Sequence, residues 1–232
     1  EFLASIDFYI PEKLIGDLDT QRVRSEQLIP LNIKTIYRIF KQLKHIEITC
    51  QFENTMTGHR LRALIPAHLK SDFSYADDHF MVMKRTVKLP RDDGWYQDMQ
   101  GIYNQGLFTD LNNGERGIAV FNRGLQEFEI VENFNQQDDN NNTDTIAITL
   151  MRSVEWLSQK GHLGRKSGLN GPNLRTFGSQ CLRKFVCEYA VFPHKGNWET
   201  GLVYQNAQRY AYYAKVLPFN HKLRNDTLSI KL

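Results

Sequence analysis

The amino-acid sequence predicts a mainly β protein, a sandwich or barrel of antiparallel strands with few short helices. Three observations predict it. Apolar and polar residues alternate with a period of two through the clearest segments, as in strands half-buried against a core. The strand-like segments are short, rich in β-branched and aromatic residues, and recur regularly along the chain. Turn-forming runs such as "NNGE", "RDDG" and "NRG" separate them.

The segments follow in order. "LNIKTIYRIF" (31–40) and "HIEITCQFEN" (45–54) read as two strands joined into a hairpin through the polar "KQLK". In the second, Ile46, Ile48, Cys50 and Phe52 alternate with His45, Glu47, Thr49 and Gln51. "LRALIP", "FMVMKRTVKL", "GLFTDL", "GIAVFN", "EFEIVE", "TIAITLMRSV" and "LRKFVCEYAVF" continue the strand pattern. The polar run "NFNQQDDNNNTD" (133–144) reads as a mobile hairpin tip. "LVYQNAQRYAYYAKVL" (202–217) lacks clean alternation and reads as a short helix, with Pro218 just past its end. No internal repeat and no Pro/Ser-rich linker divides the chain, so a single domain is expected over residues 1–232.

Composition narrows the function classes. A 41% hydrophobic, 12% aromatic chain of 232 residues can bury a substantial core. Its net charge of +3 comes from 29 basic and 26 acidic residues of interspersed sign, which argues against a nucleic-acid partner. Cys50, Cys181 and Cys187 are an odd number without a CxxC pair, which argues against a disulfide scaffold and for a reducing, cytoplasmic compartment. No signal peptide and no apolar run of membrane-spanning length is present, so no membrane partner is expected. The chain opens on Glu1 and closes on "TLSIKL", which reads as mid-strand, and a portion of a longer polypeptide is expected.

Candidate chemistry is sparse. Asp77, Asp78 and His79 stand in a row in "YADDHF", but neighbours on a strand point to opposite faces, so the run reads as a solvated turn. His59 and His68 imply no third ligand by spacing, and His194, after "VFP" at a strand end, reads as a packing or capping residue. No metal site follows. There is no GxSxG and no cysteine with a recognisable base. Glu115, Glu127, Glu129 and Glu188 are carboxylates that a solvated strand face or turn explains. Arg60 and Arg62 share one face of "RLRALIP" and read as a structural arginine pair holding carboxylates.

The stretch between "TIAITLMRSV" and Cys181 is the departure from the β pattern. It is long, rich in glycine and basic, with Arg152, Lys160, Arg165, Lys166 and Arg175 as donors. Leu157, Leu163, Leu169, Leu174 and Phe177 are expected to anchor it. The residues alone suit it to a polyol, an anion or another domain.

Five motifs then carry a resemblance: "ENTMTGHRLRALIP", "LFTDLNNGERGIAVFNRGLQEFEI", "TIAITLMRSVEWLS", "LNGPNLRTFGSQC" and "CEYAVFPHKGNW". In this order they resemble the C-terminal β domain of glycoside hydrolase family 38, the α-mannosidases, in its bacterial branch. The resemblance runs from about residue 31 to about 200. It implies a galactose-mutarotase-like supersandwich, an antiparallel β-sandwich. It implies a parent enzyme that hydrolyses α-mannosides with retention, using a zinc ion and an Asp nucleophile held by an N-terminal catalytic domain of the same polypeptide. None of the family's zinc-ligand motifs occurs in this chain, so no catalytic residue, metal or cofactor is expected here. Arg152, Asn170, Gly171 and Pro172 are then the candidates for facing the catalytic domain or the α-mannoside. An independent carbohydrate-binding module and a mutarotase-like enzyme are the competing readings.

Overall fold

The computed structural model describes residues 1–16, 22–89, 99–132, 143–157, 171–172 and 174–212. The strands are β1 (Phe2–Pro11), β2 (Leu14–Ile15), β3 (Val23–Arg24), β4 (Leu28–Ile39), β5 (Ile46–Glu53), β6 (Arg60–Pro66) and β7 (Phe73–Asp78). They continue as β8 (Met81–Thr86), β9 (Ile102–Asn104), β10 (Phe108–Asn112), β11 (Arg116–Asn122), β12 (Glu127–Val131), β13 (Thr145–Arg152) and β14 (Lys184–Lys195). A short 3-10 turn, Phe177–Gln180, precedes β14, and one helix, α1 (Val203–Ala211), follows it.

Two antiparallel sheets carry the architecture. The larger has eight strands in the order β1-β4-β5-β14-β11-β10-β7-β8, and the smaller has four, β6-β13-β12-β9. Strands β2 and β3 form a separate ribbon. The hairpin expected over residues 31–54 is β4 with β5, Ile33 lying opposite Phe52 and Thr35 opposite Cys50. "NNGE" makes the β10–β11 turn for a visible reason. The Asn113 side-chain oxygen accepts from the Glu115 and Arg116 N–H groups, at 3.1 Å each, and Gly114 takes φ +87°.

Period-two alternation gives the large sheet two buried faces. Ile48, Cys50, Val120, Leu111, Cys187 and Tyr189 point toward the small sheet and pack with its Ile146, Ile148 and Leu150. This inter-sheet core makes the protein a sandwich. The intervening residues Phe108, Ala119, Phe121, Ala190 and Phe192 point the other way and pack under Val203, Ala207 and Tyr210 of α1. The expected 202–217 helix is thus found at Val203–Ala211, and residues from 213 onward lie outside the described set.

Five strands lie where none was expected: β1, the short β2 and β3, β7 and β9. Asp77 and Asp78 close β7 rather than forming a turn, and His79 and Phe80 make the tight connection to β8, Phe80 with φ +62°. The Asp78 carboxyl is held below its usual range, chiefly by the His79 N–H, with Arg85 and Asn104 adding donors. Most of the polar run 133–144 lies outside the described residues.

Candidate functional site

The outer face of the small sheet collects charge from three strands. Arg60 and Arg62 project from β6, Glu127 and Glu129 from β12, and Thr149 and Arg152 from β13, which runs between them. Arg62 donates to Glu129. Arg60 forks between the two carboxylates, 3.4 Å from Glu127 Oε1 and 3.4 Å from Glu129 Oε2. Thr149 Oγ1 donates to Glu127 Oε1 at 2.6 Å, and Arg152 Nη1 lies 3.5 Å from Glu127 Oε2. Three guanidiniums face two carboxylates. Arg152 is the outlying member, its side chain 55% exposed.

A β-bulge places it there. Thr149 pairs with Arg62, Met151 with Leu61 and Arg152 with Arg60, leaving Leu150 as an extra residue on β13. Leu150 and Met151, consecutive in sequence, both pack into the inter-sheet core. Strict alternation would put Arg152 on the same face as Ile146, Ile148 and Leu150. The extra residue reverses the parity and brings the guanidinium out beside Arg60.

Beyond Arg152 the chain enters the long basic stretch through a polar neck. Ser153 N–H donates to the His59 carbonyl at 2.8 Å, and Ser153 Oγ donates to Gln180 Oε1 at 2.6 Å. That same Gln180 oxygen accepts from Gly58 N–H at 3.1 Å. Val154 N–H donates to the Ser179 carbonyl, and Thr176 N–H and Oγ1 to the Glu155 carbonyl. An isolated antiparallel bridge joins Trp156 to Arg175, whose Nε is 3.2 Å from Glu155 Oε1. Gly171 and Pro172 lie past this neck, the Pro172 carbonyl accepting from Leu174 N–H, and Asn170 lies outside the described residues. The expected apolar anchors need correction. Leu157, Leu174 and Phe177 are 69%, 63% and 71% exposed, so within this chain the neck is held by hydrogen bonds. Leu163 and Leu169 lie outside the described residues.

A second constellation sits on the α1 side of the large sheet. His194 Nε2 is 2.7 Å from Asp110 Oδ1, and Asn112 Nδ2 donates to Asp110 Oδ2 at 2.6 Å. Both side chains of the pair are buried, at 2% and 0% exposure. The imidazole crosses β11 over Gly117, where a Cβ would stand 2.4 Å from Nε2, and Gly201 closes its other side, where a Cβ would stand 2.4 Å from Nδ1. Above it opens a cleft of about 720 Å³, lined among others by Lys44, His45, Lys195, Asn206 and Arg209. Nothing in the sequence pattern pairs His194 with Asp110; the two glycines that leave room for the ring are recognisable only once the strands are paired.

Among the described residues no three His, Cys, Asp or Glu side chains converge as metal ligands. Trp156 stands at the neck, Trp198 packs against the cluster under α1, and Trp95 lies outside the described residues.

No protein-family model matches the chain. A curated relative named "Putative mannosylglycerate hydrolase", from Halalkalibacterium halodurans, is 28% identical over 193 residues, which is 83% of this chain and 19% of the relative. A solved structure of a glycosyl hydrolase family 38 protein from Enterococcus faecalis matches at TM-score 0.68 and 22% identity, over 88% of this chain and 22% of its own. An α-mannosidase structure from Enterococcus faecalis V583 matches at TM-score 0.70 and 23% identity, over the same shares. The resemblance to family 38 carried by the five motifs is borne out in these neighbours. At such identities the structural likeness establishes the fold, which this chain shares with a portion of each enzyme. The chain spans about a fifth of the length of these relatives.

Proposed function

We propose that this chain is the C-terminal β domain of a zinc-dependent retaining α-mannosidase, supporting and bordering the active site without supplying its catalytic groups. The motifs and the shared fold support a glycoside hydrolase parent. The described residues offer no convergent ligand set for zinc, so no metal step is assigned to this chain. Three free cysteines suit a reducing, cytoplasmic setting.

The observation that carries the reading is the surface around Arg152. The bulge delivers one guanidinium more than the adjacent carboxylates match, half exposed, while the nearby neck exposes Leu157, Leu174 and Phe177. Exposed apolar side chains on the neck that follows an exposed cationic group suit this region to packing against another domain. In that position Arg152 would donate to a carboxylate of the catalytic domain or to sugar hydroxyls, with Gly171 and Pro172 offering backbone contacts nearby.

The test uses an aryl α-mannoside. The chain alone, with or without added zinc, is expected to give no turnover. In the full-length parent, Arg152→Ala is expected to lower kcat/KM about tenfold or more, as loss of a charge-assisted positioning contact does. Zinc-dependent turnover by the chain alone would sink the reading, and an unchanged kcat/KM would remove Arg152 from the site.

A further inference from the structure

The cleft over His194 encloses about 720 Å³, and the fully charged side chains that line it are all basic. Lys44 lies in the β4–β5 connection, Lys195 ends β14, and Arg209 lies on α1. Among the described residues none of the three takes part in an ion pair, and no Asp or Glu lines the cleft. Two acids sit against the histidines: Glu47 Oε1 is 3.5 Å from His45 Nε2, and Asp110 Oδ1 is 2.7 Å from His194 Nε2. His45 Nε2 is buried and makes no hydrogen bond.

The helix adds to the same field. Thr200, Gly201 and Leu202 at the amino end of α1 line the cleft, and Asn206 and Arg209 follow along the helix face one and two turns on. That amino end has no side-chain cap and no acid in its first turn, although the Gly201, Leu202 and Val203 N–H groups already donate to backbone carbonyls of the preceding turn. Three cations outside any ion pair among the described residues, beside an acid-free helix end around one concavity, favour negative charge. About 720 Å³ is the size of a small-molecule site.

We propose that this cleft binds a small organic anion, a phosphate or carboxylate carried on a polar body of monosaccharide size. Lys44, Lys195 and Arg209 would neutralise the anionic group, and the Asn206 and Gln42 amides would meet hydroxyls.

Isothermal titration of the full chain at low ionic strength decides it, with inorganic phosphate, glucose 6-phosphate, glucuronate and uncharged glucose as probes. At least one anion is expected to bind and glucose not to. Lys44→Ala/Arg209→Ala is expected to weaken binding about tenfold, and added salt to weaken it further. Both side chains are exposed, so the double variant is expected to fold; Asn206→Asp, which puts a carboxylate into the cleft, is a second variant that should abolish binding. Glucose 6-phosphate binding above phosphate would show that the body is read, equal binding that only the oxyanion is, and glucuronate alone that the group is a carboxylate. Three results would overturn the proposal: no binding of any anion up to about 10 mM, equal binding of glucose, or affinity unchanged in both variants.

Discussion

Gly117 and Gly201 hold the His194 ring between two backbones, and that close approach lets the imidazole reach Asp110 from across β11. A buried carboxylate stripped of its cationic or donor partner is costly, about 3 kcal/mol or more, so His194→Ala is expected to destabilise by that order in chemical denaturation. Gly117→Ala acts on the same contact by pushing the ring aside. It should therefore cost less on the His194→Ala background than in the wild type, and strict additivity would mean the glycine serves another purpose. The opposing thiols of β5 and β14 supply a pH test. Burial pushes the Cys187 thiol from its ordinary 9.0 up to about 12, and raises Cys50 and Tyr189 as well. In the unfolded chain these groups ionise at their ordinary values. Between about pH 9 and pH 12 the folded state thus holds protons that the unfolded state has released, and stability falls as pH rises. Cys187→Ala should flatten that alkaline slope by about 1.4 kcal/mol per pH unit, measured by urea denaturation across the range. An unchanged slope would mean the thiol is not shielded.

At the scale of elements, β13 and the neck beyond it show what a sequence pattern conveys and what it hides. The β4–β5 hairpin was legible because both strands alternate and only a polar turn separates them. The bulge was not, since "TLMRSV" reads equally well as a regular strand, and only pairing with β6 reveals the extra residue that turns Arg152 outward. Leu157, Leu174 and Phe177 looked like anchors because apolar side chains usually seek a core. Here the Ser153, Gln180 and Gly58 hydrogen bonds do that work, and amide side chains carry no periodic signature. Gln180→Ala should accordingly cost about 1–2 kcal/mol, the loss of an acceptor shared by Ser153 Oγ and the Gly58 N–H. It should also speed hydrogen exchange at the Gly58 amide selectively. Uniform exchange across the sheet in place of a local rise would place the neck's stability elsewhere.

In the whole molecule the two sheets are unequal, eight strands against four, and the larger overhangs the smaller along β1 and β4. Register places Ile6 opposite Ile33, Phe8 opposite Leu31 and Phe2 opposite Tyr37, so these β1 side chains share the inward face with the buried Leu31 and Ile33. Yet Phe2, Ile6, Phe8, Tyr37 and Ile39 are exposed. Strand β1 was hard to read in the sequence for a related reason. "FLASIDFYIP" has apolar residues at both parities, Leu3 and Tyr9 as well as Ile6 and Phe8, and an edge strand with neither face fully covered shows no clean alternation. The overhang is a contiguous apolar surface of the kind that soluble monomers seldom leave open. The chain alone should therefore bind an apolar fluorescent dye such as anilinonaphthalene sulfonate in its folded state. Ile6→Lys/Phe8→Lys should reduce that binding several-fold while changing folding stability by only about 1 kcal/mol, because neither side chain is buried in this chain. Dye binding unaffected by the double substitution would locate the exposed apolar surface elsewhere. A loss of several kcal/mol would show instead that these side chains are buried in solution and that the sandwich closes over them.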